Sequence, residues 1–105
     1  IGKKLIEVKS VNLVKNGIAM FPDAPTKRGA KHIENLLKVC PQYEPEVVFV
    51  VQREDAYAFK PKEDTDPIFA KRLRDFAKAG HKVSAWRCFV SLEEIKLKDE
   101  IEVIL

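Results

Sequence analysis

The chain has 105 residues, 46% of them hydrophobic and 33% charged, with a formal net charge of +3. That is apolar content for one core and one domain, and no apolar run approaches the roughly 20 residues that span a bilayer. The opening Ile1-Gly2-Lys3-Lys4 lacks the apolar segment of a secretion signal, so the composition points to a soluble, cytoplasmic protein.

Residues 4–14 alternate apolar and polar side chains, the mark of a strand. The chain starts inside that pattern and without Met, which reads as a domain excised from a longer protein, N-terminally truncated. Asn16-Gly17 is a hairpin turn signal, and Ile18 to Phe21 is the returning strand. Pro22-Asp23-Ala24-Pro25 breaks it. Thr26 is an N-cap candidate for a helix whose apolar positions Ala30, Ile33, Leu36, Leu37 and Cys40 share one face, with Pro41 as its stop.

Val47-Val48-Phe49-Val50-Val51 is apolar on both faces, which predicts a central strand covered on both sides. Gln52 to Asp66 reads as a polar connection. Asp66-Pro67 supplies an N-cap followed by Pro at the first helical position. The helix after it turns Phe69, Leu73, Phe76 and Ala77 inward, and Gly80 closes it. His81 to Val90 is a further strand, and a last strand pair is expected within Ile95 to Leu105. The order describes an α/β fold with a mixed central sheet flanked by helices. Trp86, Phe49, Phe69, Phe76 and Phe89 read as core. Tyr43, Tyr57 and Phe59 fall in loops, where they would stack on bases or pack on the surface. His81 reads as structural. Cys40 and Cys88 are too few and too far apart for a zinc site or a disulfide framework, and read as small buried hydrophobes.

The charge is unevenly spread. Residues 1–41 carry eight Lys/Arg against three Asp/Glu, and the remainder eleven against thirteen. Basic clustering is the footprint of a polyanion binder, and equally of a solvated lysine-rich face. Within that basic part lies Glu7-Val8-Lys9. Residues i and i+2 of a strand point to one face, so Glu7 and Lys9 project side by side, roughly 6 to 7 Å apart along the strand. A carboxylate and a lysine so placed are half of a Mg²⁺-dependent phosphodiesterase site: the carboxylate ligates a hard cation, and the lysine orients the attacking water and stabilises the developing charge. An ordinary exposed strand carries the same pair as an ion pair.

Other polar residues gather near helix and strand ends. Arg28 and Lys31 stand in the first turns of the first helix, where free backbone N–H groups favour anions; a solvated first turn looks the same. Asp23 precedes that helix and His32 borders its apolar stripe, as a packed or capped histidine would. Gln52, Arg53 and Asp55 follow the central strand, at the end where α/β sheets gather ligands.

Taken in order, Glu7-Val8-Lys9-Ser10-Val11, Phe21-Pro22-Asp23-Ala24, Thr26-x-Arg28-Gly29-x-Lys31-His32, Val51-Gln52-Arg53-x-Asp55, Phe59-x-Pro61, Asp66-Pro67 and Trp86-Arg87-Cys88 resemble the sugar fermentation stimulation protein A family, from residue 5 to about 90. The resemblance implies an OB-like N-terminal domain followed by a C-terminal domain with a restriction-endonuclease-like PD-(D/E)xK core, of which residues 1–105 would be the latter without its first elements. It implies a DNA-binding protein linked to regulation of sugar (maltose) metabolism genes. Glu7 and Lys9 match the (D/E)xK positions; Asp23, His32, Gln52 and Asp55 match other polar motif positions. Lys3, Lys4, Arg28, Lys31 and Arg53 are then the candidate contacts to double-stranded DNA, of low sequence specificity. Two further readings stand beside this one: a Mg²⁺- or Mn²⁺-dependent nuclease with Glu7 as metal ligand, and a non-catalytic interaction domain. The fold's metal site also needs an Asp on the preceding strand, which Ile1 to Ile6 do not supply. Metal binding by these residues alone is therefore expected to be weak or absent.

Overall fold

The structure is a computed structural model that describes residues 3–39, 42–90 and 95–105. The first alternating segment forms β1 (Lys3–Val11), then after Asn12 a short β2 (Leu13–Lys15), and Asn16-Gly17 turns the chain into β3 (Ile18–Phe21). Both turn residues have positive φ, 52° and 79°, the geometry that makes Asn-Gly the preferred two-residue hairpin loop. Helix α1 (Lys27–Lys38), β4 (Tyr43–Val51), β5 (Ala58–Pro61), α2 (Pro67–Lys78), β6 (Lys82–Val90) and β7 (Ile95–Val103) follow.

The seven strands form one mixed sheet in the order β1-β4-β6-β7-β5-β3-β2. β1, β4 and β6 are parallel, and β7 joins β6 antiparallel, with a register shift between Arg87 and Cys88. β1 and β2 stand at opposite ends of that order, yet only Asn12 separates them in the chain. The sheet must therefore curl until its two ends meet at this corner.

Five expectations change. The apolar run of β4 predicts cover on both sides, but both helices pack together on one. Val47, Phe49 and Val51 are fully buried there with Ile33, Leu36, Phe69, Leu73 and Phe76, whereas Val48 and Val50 are half-buried on the other face. β1 also leaves Ile6 (49% exposed) and Val8 (57%) on that open face. The polar connection 52–66 contains a strand: β5 runs parallel to β3 and β7. Phe59, read as a loop aromatic, lies on it, fully buried and stacked on Phe49. The C-terminal segment forms a single strand rather than a pair, because β7 finds its partners in β6 and β5. Trp86 is half-buried on the open face, its indole N–H donating to Ser84 Oγ.

The remaining core follows the pattern of the sequence. Phe49, Phe69 and Phe76 are fully buried, each removing apolar surface worth about 1.5–3 kcal/mol from water. Cys88 is buried, its thiol 3.3 Å from the Val51 carbonyl and pushed up in pKa by burial. Tyr43 and Tyr57 are exposed, and Leu37 lies at the exposed margin of α1. The His81 ring is 5.0 Å from that of Phe76. Cys40, Pro41 and the Phe89 side chain lie outside the described residues. Among the described residues, no helix is long and apolar enough to cross a membrane.

Candidate functional site

β1 pairs with β4 so that Glu7 lies opposite Val47, Lys9 opposite Phe49 and Val11 opposite Val51. Glu7 and Lys9 therefore share the sheet face that carries the helices, on the strand at one end of the sheet. What lies over them is α1. Its start is fixed twice: Thr26 Oγ1 accepts from the Gly29 N–H at 3.0 Å, and Asp66 Oδ2 accepts from the Thr26 N–H at 2.8 Å. Asp66 Oδ1 caps α2 by accepting from Phe69 N–H at 3.0 Å. One nearly buried carboxylate thus ties the beginnings of both helices together. Gly29 lets them approach, since a Cβ there would sit 2.8 Å from Thr26 Cγ2 and 3.3 Å from Phe69 Cδ1.

With α1 so placed, His32 meets the strand pair. Lys9 Nζ is 2.8 Å from His32 Nδ1 and 3.3 Å from Glu7 Oε2, and His32 Nδ1 is 3.3 Å from the same carboxylate oxygen. The lysine side chain is 12% exposed, the other two 31%. Leu5, Glu7, His32, Asn35, Leu36 and Val39 line a shallow pocket of about 210 Å³ beside this trio. A lysine ammonium only donates, so the 2.8 Å contact requires an unprotonated Nδ1 and assigns the ring proton to Nε2.

The other candidates fall into two groups. Arg28 precedes His32 by four residues, hence stands one turn away on the same helix face. It is exposed and has no ion-pair partner among the described residues. Lys31, also exposed, lies 3.9 Å from Glu34. Glu34 accepts from Arg72 at 2.8 Å, which holds its carboxyl below the ordinary value. Lys3 and Lys4 extend along β1, with Lys4 3.6 Å from Glu46 on the open face. Asp23 is exposed in the connection before α1.

The second group collects where β1 and β4 end. Gln52 Nε2 is 3.4 Å from Ser10 Oγ, and Arg53 makes two hydrogen bonds to Asp55. Next to them Arg87 grips Asp99 with two bonds and the Glu54 carbonyl with a third. The structure thus unites Glu7, Lys9 and His32, puts Arg28 one turn from His32 on α1, turns Lys31 toward Glu34, and leaves Gln52, Arg53 and Asp55 as a separate group. The pattern of the sequence does not show that His32 touches Lys9. Its one signal is the four-residue spacing to Arg28, which puts both on one side of the helix.

As a cation site the trio is partial. Mg²⁺ takes six oxygen donors, while Glu7 offers one carboxylate, already engaged by Lys9. Among the described residues, no three His, Cys, Asp or Glu side chains converge.

Comparison with known proteins is consistent across sequence and structure. A family model described as the sugar fermentation stimulation protein RE domain matches residues 2–94. A sugar fermentation stimulation protein homolog from Aquifex aeolicus is 54% identical over 97 residues, covering 92% of this chain and 45% of that protein. The homolog from Desulforamulus reducens is 45% identical over 105 residues, covering 99% and 44%. The structure of Pyrococcus furiosus SfsA in complex with Ca²⁺ superposes with a TM-score of 0.86 at 31% identity, over 95% of this chain and 44% of that one. The chain spans less than half the length of these relatives.

Proposed function

The chain belongs to the sugar fermentation stimulation protein family, and on that premise we propose that it is a DNA-binding module whose β1–α1 face meets the phosphate backbone. Its fold is read as the restriction-endonuclease-like PD-(D/E)xK core, with β1 as the strand that bears the motif. The observation that carries this is the contact of Lys9 on β1 with His32 on α1, the helix that also bears the exposed Arg28 and Lys31. Exposed cations on α1 beside a strand lysine suit the phosphates of double-stranded DNA and offer little to read base edges, hence low sequence specificity. The link to sugar (maltose) metabolism and its gene regulation follows from family resemblance alone.

The test is DNA binding by the native full-length protein, measured by fluorescence anisotropy over a salt series. Phosphate contacts make log K fall linearly with log salt. Absence of binding at low salt, or binding indifferent to salt, would overturn the reading.

A second reading, a Mg²⁺- or Mn²⁺-dependent nuclease, is favoured by one specific contact: Glu7 Oε2 and Lys9 Nζ meet on the same face. Glu7 would give one oxygen to a divalent ion, whose chemistry is to polarise the phosphodiester and lower the pKa of a bound water. The Pyrococcus relative is described with Ca²⁺, a hard cation of the kind carboxylates hold. Lys9 would hold the attacking water and stabilise charge on the phosphorane. Incubating the native full-length protein with DNA and Mn²⁺, beside Glu7→Ala and Lys9→Ala, tests it. Equal cleavage by the variants, or none by the wild type, removes it.

A further inference from the structure

We propose that His32 is a positioning residue that holds the Lys9 ammonium by hydrogen bonding, leaving one N–H of that ammonium to face a nucleic-acid phosphodiester or its attacking water. This rests on, and deepens, the reading of Glu7 and Lys9 as part of a phosphodiesterase site.

A lysine carries its charge on a flexible four-carbon stem rich in rotamer entropy. Glu7, on the same strand, is its nearest carboxylate. Held by Glu7 alone, the ammonium can pivot about a single contact. His32 supplies a second anchor from another element, and at 2.8 Å it is the shorter of the two. An ammonium has three donors; one meets His32 in a hydrogen bond while Glu7 draws the charge from the strand side, so the two anchors together limit how the ammonium can turn. Because Lys9 is only 12% exposed, water competes less for these bonds than it would at an open surface.

The ring is itself well held. α1 is anchored at Thr26 and Asp66, and Gly29 keeps it close to α2. The alternative, in which His32 donates from Nδ1 to Glu7, would aim an N–H at the Lys9 ammonium 2.8 Å away. The groups lining the pocket from the other positions are Leu5 on β1 and Asn35, Leu36 and Val39 at or beyond the end of α1. None of them is charged, so the ammonium has Glu7 and His32 as its two partners there.

The experiment compares native full-length wild type, His32→Ala and His32→Asn. Asn presents its carbonyl oxygen close to where Nδ1 stands, so it keeps an acceptor. One readout is competitive labelling with acetic anhydride, followed at Lys9 by mass spectrometry. The other is DNA cleavage with Mn²⁺, separated into kcat and KM. In His32→Ala, Lys9 should label several-fold faster, and kcat should fall about ten- to a hundredfold, as for loss of a supporting hydrogen bond at a metal site, with KM little changed. His32→Asn should restore most of both. Unchanged Lys9 labelling in His32→Ala overturns the proposal, as does an Asn variant that behaves like Ala. If the wild type cleaves no DNA, the nuclease reading falls, and the labelling comparison alone decides whether His32 holds the ammonium.

Discussion

Phe59 lies stacked on Phe49, with ring centroids 4.2 Å apart and planes 22° from parallel. Phe49 in turn meets Phe69 edge-on at 6.5 Å and Phe21 at 5.8 Å. The stack joins β5 to β4, strands that are not neighbours in the sheet, so it works across the concave side of the curl. Phe59→Ala should therefore cost about 3–5 kcal/mol. Denaturant unfolding checks this; a loss below about 1 kcal/mol would mean that the site collapses and the stack is not central.

Most of the element order is legible in the sequence, because caps and turns act locally. Thr26, Asp66-Pro67, Gly80 and Asn16-Gly17 all mark the boundaries they suggest. β5 is not legible: Ala58-Phe59-Lys60-Pro61 is four residues long and holds three poor strand formers. It is a strand because β3 and β7 flank it, a long-range fact. The half-buried face of β4 is hidden for a related reason, since an apolar run states that burial is tolerated, not that a helix lies on each side. At the candidate site the strand spacing exposes Glu7 and Lys9. The arrival of His32 depends on the angle of α1, which Asp66, far along the chain, helps to set.

On the DNA-binding reading, neutralising Arg28 and Lys31 should weaken binding by similar factors for unrelated sequences. Each phosphate that is no longer neutralised should reduce the salt slope by about 1. Anisotropy titrations of Arg28→Ala and Lys31→Ala on two unrelated duplexes check this. Arg53→Ala should have less effect, because its guanidinium is already engaged by Asp55.

Glu7→Gln should separate binding from chemistry. On the nuclease reading, removing a carboxylate beside the proposed phosphate path should leave DNA affinity equal or raised and abolish cleavage in Mn²⁺. Lys9→Met should lower the cleavage rate on the order of a hundred- to a thousandfold, as for a lost charge-stabilising donor. Single-turnover cleavage, with anisotropy in parallel, separates the two effects.

Acid should destabilise the fold through its paired carboxylates. The hydrogen bonds from Arg87 lower the pKa of Asp99 from its ordinary value of 3.8. A carboxyl whose folded pKa is depressed contributes stability that is present above the unfolded value and lost as pH falls below it, toward the folded one. Asp64, Asp75 and Glu34 are lowered in the same direction by Lys62, Lys71 and Arg72. Thermal unfolding from pH 7 downward should therefore show Tm falling near and below about pH 4. Asp99→Asn should lower Tm at neutral pH and flatten that fall. A variant whose curve runs parallel to wild type would rule out this pair as a contributor.

Asp66→Ala should remove two hydrogen bonds at once and cost roughly 2–4 kcal/mol, a helix cap plus an orphaned N–H. Asn, with one acceptor oxygen, should recover part of it. Urea denaturation of the three proteins gives the comparison.

The same carboxylate has a consequence for anyone sorting residues by loss of activity. Asp66 serves two helix starts, and one of those helices delivers His32 to the strand pair. A mutational screen scored only on DNA binding or cleavage would rank Asp66 with Glu7 and Lys9, although what it holds are backbone N–H groups at the helix starts. Reading abundance alongside activity would set it apart, because an altered joint lowers both while an altered site residue lowers one.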